Sequence, residues 1–281
     1  MTIREIYNSG KKALESCGVE SPAFDAMCLV EKVFGITRHD MIVHRNIEAN
    51  EELRNKFFEY IEKRKRRVPL QYILGKWNFM GMDFHVGEGV LVPREDTEVL
   101  VYECADRLKG VEHPKILDLC GGSGAVAIGV ASIIQDSEII SLELSDKAYY
   151  YLEKNIKENN MINVKAVKGD VFSDSSNKEF FGLDAIISNP PYIPTSDIKT
   201  LQKEVQSEPK MALDGGEDGL IFYREIGEKW IRNLKPGGII AVEVGMGQSE
   251  DVAAIFMKNG ISDIKIIEDI NGIDRVVSGK K

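Results

Sequence analysis

The chain has 281 residues, of which 43% are hydrophobic and 29% charged, which excludes a mainly disordered, collagen-like or coiled-coil protein. Its longest nearly apolar run, 124–134, is far shorter than the roughly 18 residues that span a bilayer, and the first residues lack the pattern of a secretory signal. The net charge of −9 argues against a protein that grips a nucleic-acid backbone.

Residues 1 to about 67 have the pattern of a small helical bundle. Apolar residues recur at helical spacing from Ile3 to Cys17, and Gly18 ends the run. Ser21 and Pro22 are typical of the start of a second helix. The apolar stripe that we expect this helix to bury consists of Phe24, Met27, Cys28 and Val33. Asn50 is expected to cap a further helix.

That further helix ends in five consecutive basic residues, 63–67. One interpretation is a solvated helix end, where cations are favoured by the helix dipole. The other is a contact surface for ribosomal RNA or an acidic partner.

The rest of the chain has the pattern of an α/β fold. Aromatic and β-branched residues broken by glycine predict a β-hairpin within 76–93, and a helix is expected from Thr97 to Lys109. Beyond Pro114, apolar segments at 116–119, 139–142, 164–167, 185–187 and 239–244 alternate with helical stretches, which predicts a parallel sheet with helices on both faces. Two last segments, 264–267 and 275–277, are expected to form an antiparallel pair.

A glycine-rich turn follows the first strand of this sheet. Gly121, Gly122, Ser123 and Gly124 allow a tight turn and close approach of a ligand. Glu143, at the end of the next strand, is placed to accept hydrogen bonds from ribose hydroxyls. A tight turn beside a surface acid is the alternative. The turn lacks both the GxGxxG spacing of a dinucleotide site and the GK[ST] ending of a P-loop.

The most informative tetrapeptide is Asn189-Pro190-Pro191-Tyr192, directly after the fourth strand of the sheet. The prolines remove two backbone donors while their carbonyls remain acceptors, and the Asn189 side chain adds another acceptor oxygen. Such a pair of acceptors suits a planar NH₂ group, which the Asn189 oxygen and the Pro190 carbonyl would hold during attack. Tyr192 is expected to pack against the flat face of the substrate. A rigid exit from the strand is the alternative.

These motifs resemble those of known methyltransferases. The segment 118–124 resembles the first motif of class I S-adenosylmethionine-dependent methyltransferases, and Cys120 stands where that motif often has glycine. The fold implied is a Rossmann-like sheet. In it Asp170 and Val171 would lie beside the adenine, Asp170 to receive its amino group. A turn aspartate with a buried valine is the alternative.

Further motifs resemble the HemK/PrmC family, the glutamine methyltransferases of peptide chain release factors. They are the segments 69–75, 90–98, 189–194, 208–209, 212–216, 218–220, 223–224, 235–238, 243–245 and 274–277. The resemblance implies methylation, by S-adenosyl-L-methionine, of the glutamine in the Gly-Gly-Gln motif of bacterial class I release factors. It implies a release-factor-binding helical domain at 1–75, a hairpin linker at 76–93 and a methyltransferase domain at 94–281.

The resemblance also implies the roles of site residues. Cofactor contacts carry over to Gly121, Gly122, Ser123, Gly124, Ala125, Glu143, Val171 and Asn189, and substrate contacts to Asn189, Pro190, Pro191 and Tyr192. Glu143 stands where aspartate is common, and Val171 where tryptophan can occur. We take Asn189, Pro190 and Tyr192 as the catalytic residues.

Other expectations are less specific. Arg94 and Glu98 are expected to line the pocket, to fasten the hairpin to the sheet or to form a structural salt bridge. The long connection 195–219 is expected to form a wall that receives the release-factor loop. The cysteines and histidines show no metal or disulfide spacing, so we expect no metal and a reducing cytoplasm. We also expect a monomer. Two rival functions are a nucleic-acid adenine N6 methyltransferase and a non-catalytic cofactor-binding protein.

Overall fold

Two compact units make up the chain in the computed structural model, which describes residues 1–43, 47–174 and 179–281. One unit comprises Met1–Lys76 with Gln202–Ser207, and the other comprises Trp77–Leu201 with Glu208–Lys281. No helix within the described ranges has the length and apolar character needed to cross a membrane.

The first unit is a bundle of short helices. They are α1 (Ile3–Ser16), α2 (Pro22–Phe34), α3 (Arg38–Val43), α4 (Glu51–Lys65) and α5 (Leu70–Leu74). Thr2 and Glu5 begin α1 with reciprocal side-chain to backbone hydrogen bonds, which satisfy N–H groups that the first turn leaves free. Asn50 caps α4 as predicted. A Cβ at Gly10 would lie 2.7 Å from the Phe57 ring, so glycine lets α1 and α4 pack closely.

The buried face of α2 matches the predicted stripe in part, because Met27, Cys28 and Val33 pack half-buried against the helical core. Phe24 is 54% exposed, whereas Ala26, Leu29 and Val30 are buried. Asp25 is buried too, and its carboxylate accepts a hydrogen bond from Arg64 Nε at 2.6 Å. An apolar stripe alone cannot reveal such a buried ion pair.

The basic run at the end of α4 is partly structural. Arg64 is only 7% exposed, and its Nη1 and that of Arg67 lie 2.8 and 3.0 Å from Glu204 Oε1. Neither a solvated end nor an RNA contact therefore describes these two arginines. Lys63 and Lys65 form ion pairs with glutamates of their own helix.

The second unit is built on a seven-stranded sheet. Its strands are β3 (Lys115–Leu119), β4 (Glu138–Glu143), β5 (Val164–Lys168), β6 (Leu183–Ser188), β7 (Leu234–Glu243), β8 (Ser262–Glu268) and β9 (Asp274–Lys280). Their order is β5-β4-β3-β6-β7-β9-β8. The first five are parallel, and β9 runs antiparallel to both β7 and β8. This confirms the predicted α/β fold.

Helices and a short hairpin complete this unit. The helices are α6 (Glu98–Arg107), α7 (Ala125–Ile133), α8 (Asp146–Glu158), α9 (Ile221–Glu225) and α10 (Ser249–Lys258). The hairpin strands, β1 (Lys76–Phe79) and β2 (Met82–His85), end well before residue 93, so the hairpin is shorter than the predicted linker. Trp230, which follows α9, is the largest fully buried side chain.

The strand order creates a crevice at the centre of the sheet. The chain passes from β3 to β4 and β5 on one side, and then to β6 and β7 on the other. Connections on opposite sides leave a crevice at the carboxyl ends of β3 and β6, where open α/β sheets bind ligands. The glycine-rich turn after β3 and Asn189 after β6 both lie there.

Candidate active site

The turn after β3 is unusually tight. Cys120, Gly122 and Gly124 all have positive φ, of 63°, 56° and 85°, a region that glycine adopts without strain. Cys120 thus stands at a position that favours glycine for conformational reasons. A Cβ at Gly121 would lie 2.1 Å from Ser141 Oγ. At Gly122, by contrast, the nearest atom to a Cβ would be the Cys120 carbonyl oxygen, 3.9 Å away, so this glycine leaves space at the crevice.

Glu143 is fastened to that turn. Its Oε2 accepts a hydrogen bond from the Gly122 N–H at 2.8 Å, and its Oε1 accepts one from the Ser145 N–H at 2.6 Å. Each carboxylate oxygen has a second lone pair. Glu143 therefore shapes the turn and can still accept hydrogen bonds from vicinal hydroxyls of a ligand.

A second carboxyl lies beneath the turn. Asp118 is fully buried and accepts a hydrogen bond from Ser141 Oγ at 2.7 Å on Oδ2, while Oδ1 has no partner among the described residues. Burial, aided by the nearby Glu143 charge and opposed by Ser141, raises the pKa of Asp118 to about 7.

Residues that follow β5 form one side of the crevice. Val171 is buried, and its carbonyl accepts a hydrogen bond from Trp230 Nε1 at 2.9 Å. The Asp170 carboxylate accepts a bond from the Phe172 N–H at 2.9 Å, and Phe172 packs edge-on against Phe222. This wall combines an apolar surface with a carboxylate, which suits a flat heteroaromatic ring bearing an amino group.

The side chain of Asn189 is oriented by a hydrogen bond to a neighbouring residue. Its Nδ2 donates to Thr97 Oγ1 at 3.2 Å, so Oδ1 is the end of the carboxamide left for a ligand. Among the described residues, no donor bonds either to this oxygen or to the Pro190 carbonyl. Neither of the two acceptor oxygens predicted from the sequence thus receives a hydrogen bond, while the Tyr192 hydroxyl donates to Glu243 Oε1 at 3.3 Å.

The glycine-rich stretch of the long connection supports Tyr192. A Cβ at Gly215 would lie 2.8 Å from the Tyr192 backbone, and Ile193 exchanges backbone hydrogen bonds with Leu213 and Gly215. The Gln248 side chain donates to the Tyr192 carbonyl at 2.9 Å. These contacts fix the path of the backbone directly after the two prolines.

Arg94 and Glu98 have different positions. Arg94 borders the crevice and forms an ion pair with the buried Glu208, whose other oxygen accepts from the Val92 N–H at 3.1 Å. Burial raises the pKa of Glu208, although Arg94 opposes the shift. Glu98 accepts a hydrogen bond from the Met80 N–H at 3.3 Å and so fastens the hairpin to α6.

Two cavities that share Leu91, Cys120, Gly122 and Asn189 open at the crevice. Of the predicted site residues, the larger cavity is lined by Gly122, Glu143, Asp170, Val171, Asn189 and Pro191. The smaller is lined by Gly121, Gly122, Ser123, Ala125 and Asn189. Gly124, Pro190 and Tyr192 line neither; Gly124 lies against Leu152, where a Cβ would come within 2.8 Å of its side chain.

Four residues support the site in roles that the sequence did not indicate: Thr97, Asn155, Glu208 and Gln248. Thr97 and Glu208 lie in segments of the family resemblance, which gave them no role. Asn155 is fully buried in α8 and donates to the carbonyls of Ser123 and His85 at 2.9 and 3.1 Å. The helical periodicity places Asn155 on the buried face of α8, and a polar residue there could have been recognised as structurally important. The sequence does not show that Ser123 and His85 are its partners. Among the described residues, no group of three or more His, Cys, Asp or Glu side chains could hold a metal ion.

Comparison with known proteins agrees with this geometry. Residues 5–75 match the family model described as the PrmC N-terminal domain, and residues 95–230 match the methyltransferase small domain. The chain is 38% identical to a release factor glutamine methyltransferase of Geobacter sulfurreducens, over 99% of this chain and 96% of that protein. It is 36% identical to that of Clostridium botulinum, over the whole of both chains.

A solved structure supports the fold independently. The catalytic domain of human Mettl16, crystallised with a MAT2A 3′UTR hairpin, is 12% identical and has a TM-score of 0.58, with 83% of each chain covered. At this identity the likeness concerns the fold alone.

The sheet, the glycine-rich turn and the tetrapeptide 189–192 are together typical of a class I methyltransferase. The full-length relatives make the identity more specific: the chain belongs to the release factor glutamine methyltransferase family, and it is an enzyme.

Proposed function

We propose that this enzyme methylates the side-chain amide nitrogen of the glutamine in the Gly-Gly-Gln motif of bacterial class I release factors, using S-adenosyl-L-methionine. The observation that carries the proposal is that Asn189 lines both cavities and that neither its Oδ1 nor the Pro190 carbonyl accepts a hydrogen bond among the described residues. A primary carboxamide has two N–H donors in one plane, and the pair would bind both.

The crevice fits the proposed cofactor. The second lone pairs of Glu143 would accept the ribose hydroxyls, Gly122 leaves room at the turn, and Asp170 with Val171 would receive the adenine. When bound, S-adenosyl-L-methionine supplies an electrophilic methyl group. The glycine-rich turn and the Asn189 backbone would position it at the end of β3 and β6.

The residues of the chain would make the amide nitrogen reactive by orientation. Its lone pair is delocalised into the carbonyl group, so it is a poor nucleophile. Asn189 and Pro190 would hold the NH₂ group and favour positive charge as it develops on nitrogen. The nitrogen then becomes acidic and can release its proton to water, which agrees with the absence of histidine from the described walls of both cavities.

We propose that residues 1–75 recognise the protein substrate. The family resemblance and the match to the PrmC N-terminal domain support this role. The glycines of the substrate motif would let the extended chain enter a narrow crevice, because they carry no side chains. A substrate that works in translation implies action in the cytoplasm, and we propose that the enzyme acts as a monomer.

Mass spectrometry tests this function. An unmodified release factor is incubated with enzyme and S-adenosyl-L-methionine, and its tryptic peptides are compared with those of a sample without enzyme. We expect the glutamine to gain the mass of one CH₂ group. Asn189→Ala should lower transfer by about 10²-fold or more while cofactor affinity stays within about tenfold.

DNA and tRNA serve as competing substrates in the same assay. Methylation of either nucleic acid without modification of the glutamine would favour the adenine methyltransferase instead. If titration shows that S-adenosyl-L-methionine binds but no methyl group is transferred to the release factor, DNA or tRNA, a non-catalytic cofactor-binding protein would be favoured.

A further inference from the structure

The smaller cavity has a cationic side chain at its edge. Among the described residues that line it, Arg94 is the charged one. Its side chain is 38% exposed, and its Nη2 forms an ion pair with Glu208, whose side chain is 2% exposed. A guanidinium has five N–H donors in a planar fork, and no described residue accepts a hydrogen bond from Arg94 Nε or Nη1. Glu208 thus anchors one end of the guanidinium and leaves the other donors for a ligand.

The N-terminus of α7 lies at the same cavity. Ala125 and Val126, the first two residues of this helix, line it. Gly124, at the N-cap, has no side chain that could accept a hydrogen bond from the first turn. The first N–H groups of a helix have no partner within the helix, and the helix dipole places partial positive charge there. The helix end and Arg94 therefore both favour an anionic group in this cavity.

The position of the cavity indicates which anion it would receive. The larger cavity contains Glu143, Asp170 and Val171, which we propose for the adenosine part of the cofactor. The smaller cavity shares Gly122 and Asn189 with it, so a ligand that extends from the adenosine past the glycine-rich turn enters the smaller cavity. On the far side of its sulfur, S-adenosyl-L-methionine carries an amino-acid chain with a carboxylate. The carboxamide of the substrate, by contrast, has no charge.

We infer that Arg94, together with the N-terminus of α7, binds the carboxylate at the amino-acid end of the cofactor. The inference rests on the proposed function, because it presupposes S-adenosyl-L-methionine. A guanidinium can bind a carboxylate through two parallel hydrogen bonds. The carboxylate does not change during methyl transfer, so this contact contributes to cofactor affinity rather than to the rate of the chemical step.

Two ligands that differ only in the carboxylate test the inference. They are S-adenosyl-L-homocysteine and its decarboxylated analogue, and titration calorimetry gives the dissociation constant of each. We expect the wild type to bind the decarboxylated analogue at least about tenfold more weakly, the scale for losing hydrogen bonds to a charged group. In Arg94→Gln the two dissociation constants should agree within about threefold, because the charge that distinguishes the ligands is gone.

Two further variants serve as controls. Arg94→Lys keeps the positive charge but lacks the planar fork, so its preference for the carboxylate should lie between those of wild type and R94Q. Arg224→Gln makes the same replacement at an exposed ion pair with Asp218, and Arg224 lines neither cavity. R224Q should therefore keep the preference of the wild type.

The ratio of the two dissociation constants decides the inference. A ratio that is the same in R94Q and wild type, or a ratio near one in the wild type, would overturn it. Loss of release-factor methylation by R94Q at an unchanged ratio would assign Arg94 to the protein substrate instead. If R94Q does not fold because Glu208 lacks its partner, the double variant R94Q/E208Q removes both charges and is judged by the same ratio. Failure of the wild type to bind either ligand would refute the proposed cofactor itself.

Discussion

Glu143 illustrates how one side chain combines structure and binding. Its two oxygens hold the N–H groups of Gly122 and Ser145, so part of its hydrogen-bonding capacity maintains the turn. Glu143 also lines the larger cavity, where its second lone pairs can accept from a ligand. Because ribose contacts exist in both the ground state and the transition state, they contribute to binding rather than to the rate of the chemical step.

Replacing this carboxylate should therefore affect cofactor affinity more than turnover. For Glu143→Ala we expect the dissociation constant of S-adenosyl-L-methionine to rise by about tenfold or more, with a smaller change in kcat at saturating cofactor. Glu143→Gln is the matched control, because it keeps one acceptor oxygen and should lose less affinity. Titration calorimetry and saturation kinetics measure the two quantities. A large fall in kcat with unchanged affinity would contradict this assignment.

A site residue can be predicted from the sequence when its position follows from a local pattern. It cannot be predicted when its position depends on a partner far along the chain. Glu143 and Asn189 lie at strand ends, so a local pattern locates both. Thr97 and Glu208 owe their positions to partners far along the chain, Asn189 and Val92 respectively. A single sequence does not show such pairings, because nothing in the local pattern identifies the partner.

At the scale of elements, the end of α4 depends on a buried ion pair. Arg64 and Asp25 have side chains that are 8% and 6% exposed. Burial raises the pKa of Asp25, and Arg64 opposes the shift. The pair joins α2 to α4, and Glu204 binds the same guanidinium. Removing one partner leaves a buried charge without compensation, which costs more than the pair contributes.

We therefore expect Arg64→Ala to destabilise the helical unit by about 3–5 kcal/mol. The double variant D25L/R64M, which replaces both charges by apolar groups, should recover much of the loss. Both tryptophans, Trp77 and Trp230, belong to the second unit, so far-UV circular dichroism during urea unfolding is the suitable signal. Lys65→Ala, a change at a half-exposed position of the same helix, is the control. Equal stability of R64A and K65A would show that the pair is unimportant.

For the whole molecule, the alternation of strands and helices was predictable but the order of the strands was not. Each apolar segment of the sheet carries its own local signal, and β3 and β6 lie close to their predicted bounds. After β5 the chain returns to the centre of the sheet, where β6 lies beside β3. Only this strand order places Asn189 at the glycine-rich turn. Strand order depends on how the whole sheet packs, so the periodicity of a single sequence does not predict it.

Buried carboxyls also give the whole molecule a dependence of stability on pH. Burial raises the pKa of Asp118 from its ordinary value of 3.8 to about 7. Between those values the folded state keeps a proton that the unfolded chain releases. The free energy of unfolding therefore falls as pH rises from about 4 to about 7, by up to about 1.4 kcal/mol per pH unit for one such group.

Asp118→Asn tests this contribution, because it keeps an acceptor for Ser141 but cannot ionise. Urea unfolding followed by tryptophan fluorescence at several pH values gives the slope for each protein. We expect the variant to lose stability less steeply than the wild type as pH rises toward 7, and to be relatively more stable above it. Glu112→Gln, at an exposed position, is the control. Parallel slopes for D118N and wild type would mean that Asp118 is already ionised in the folded protein well below neutrality.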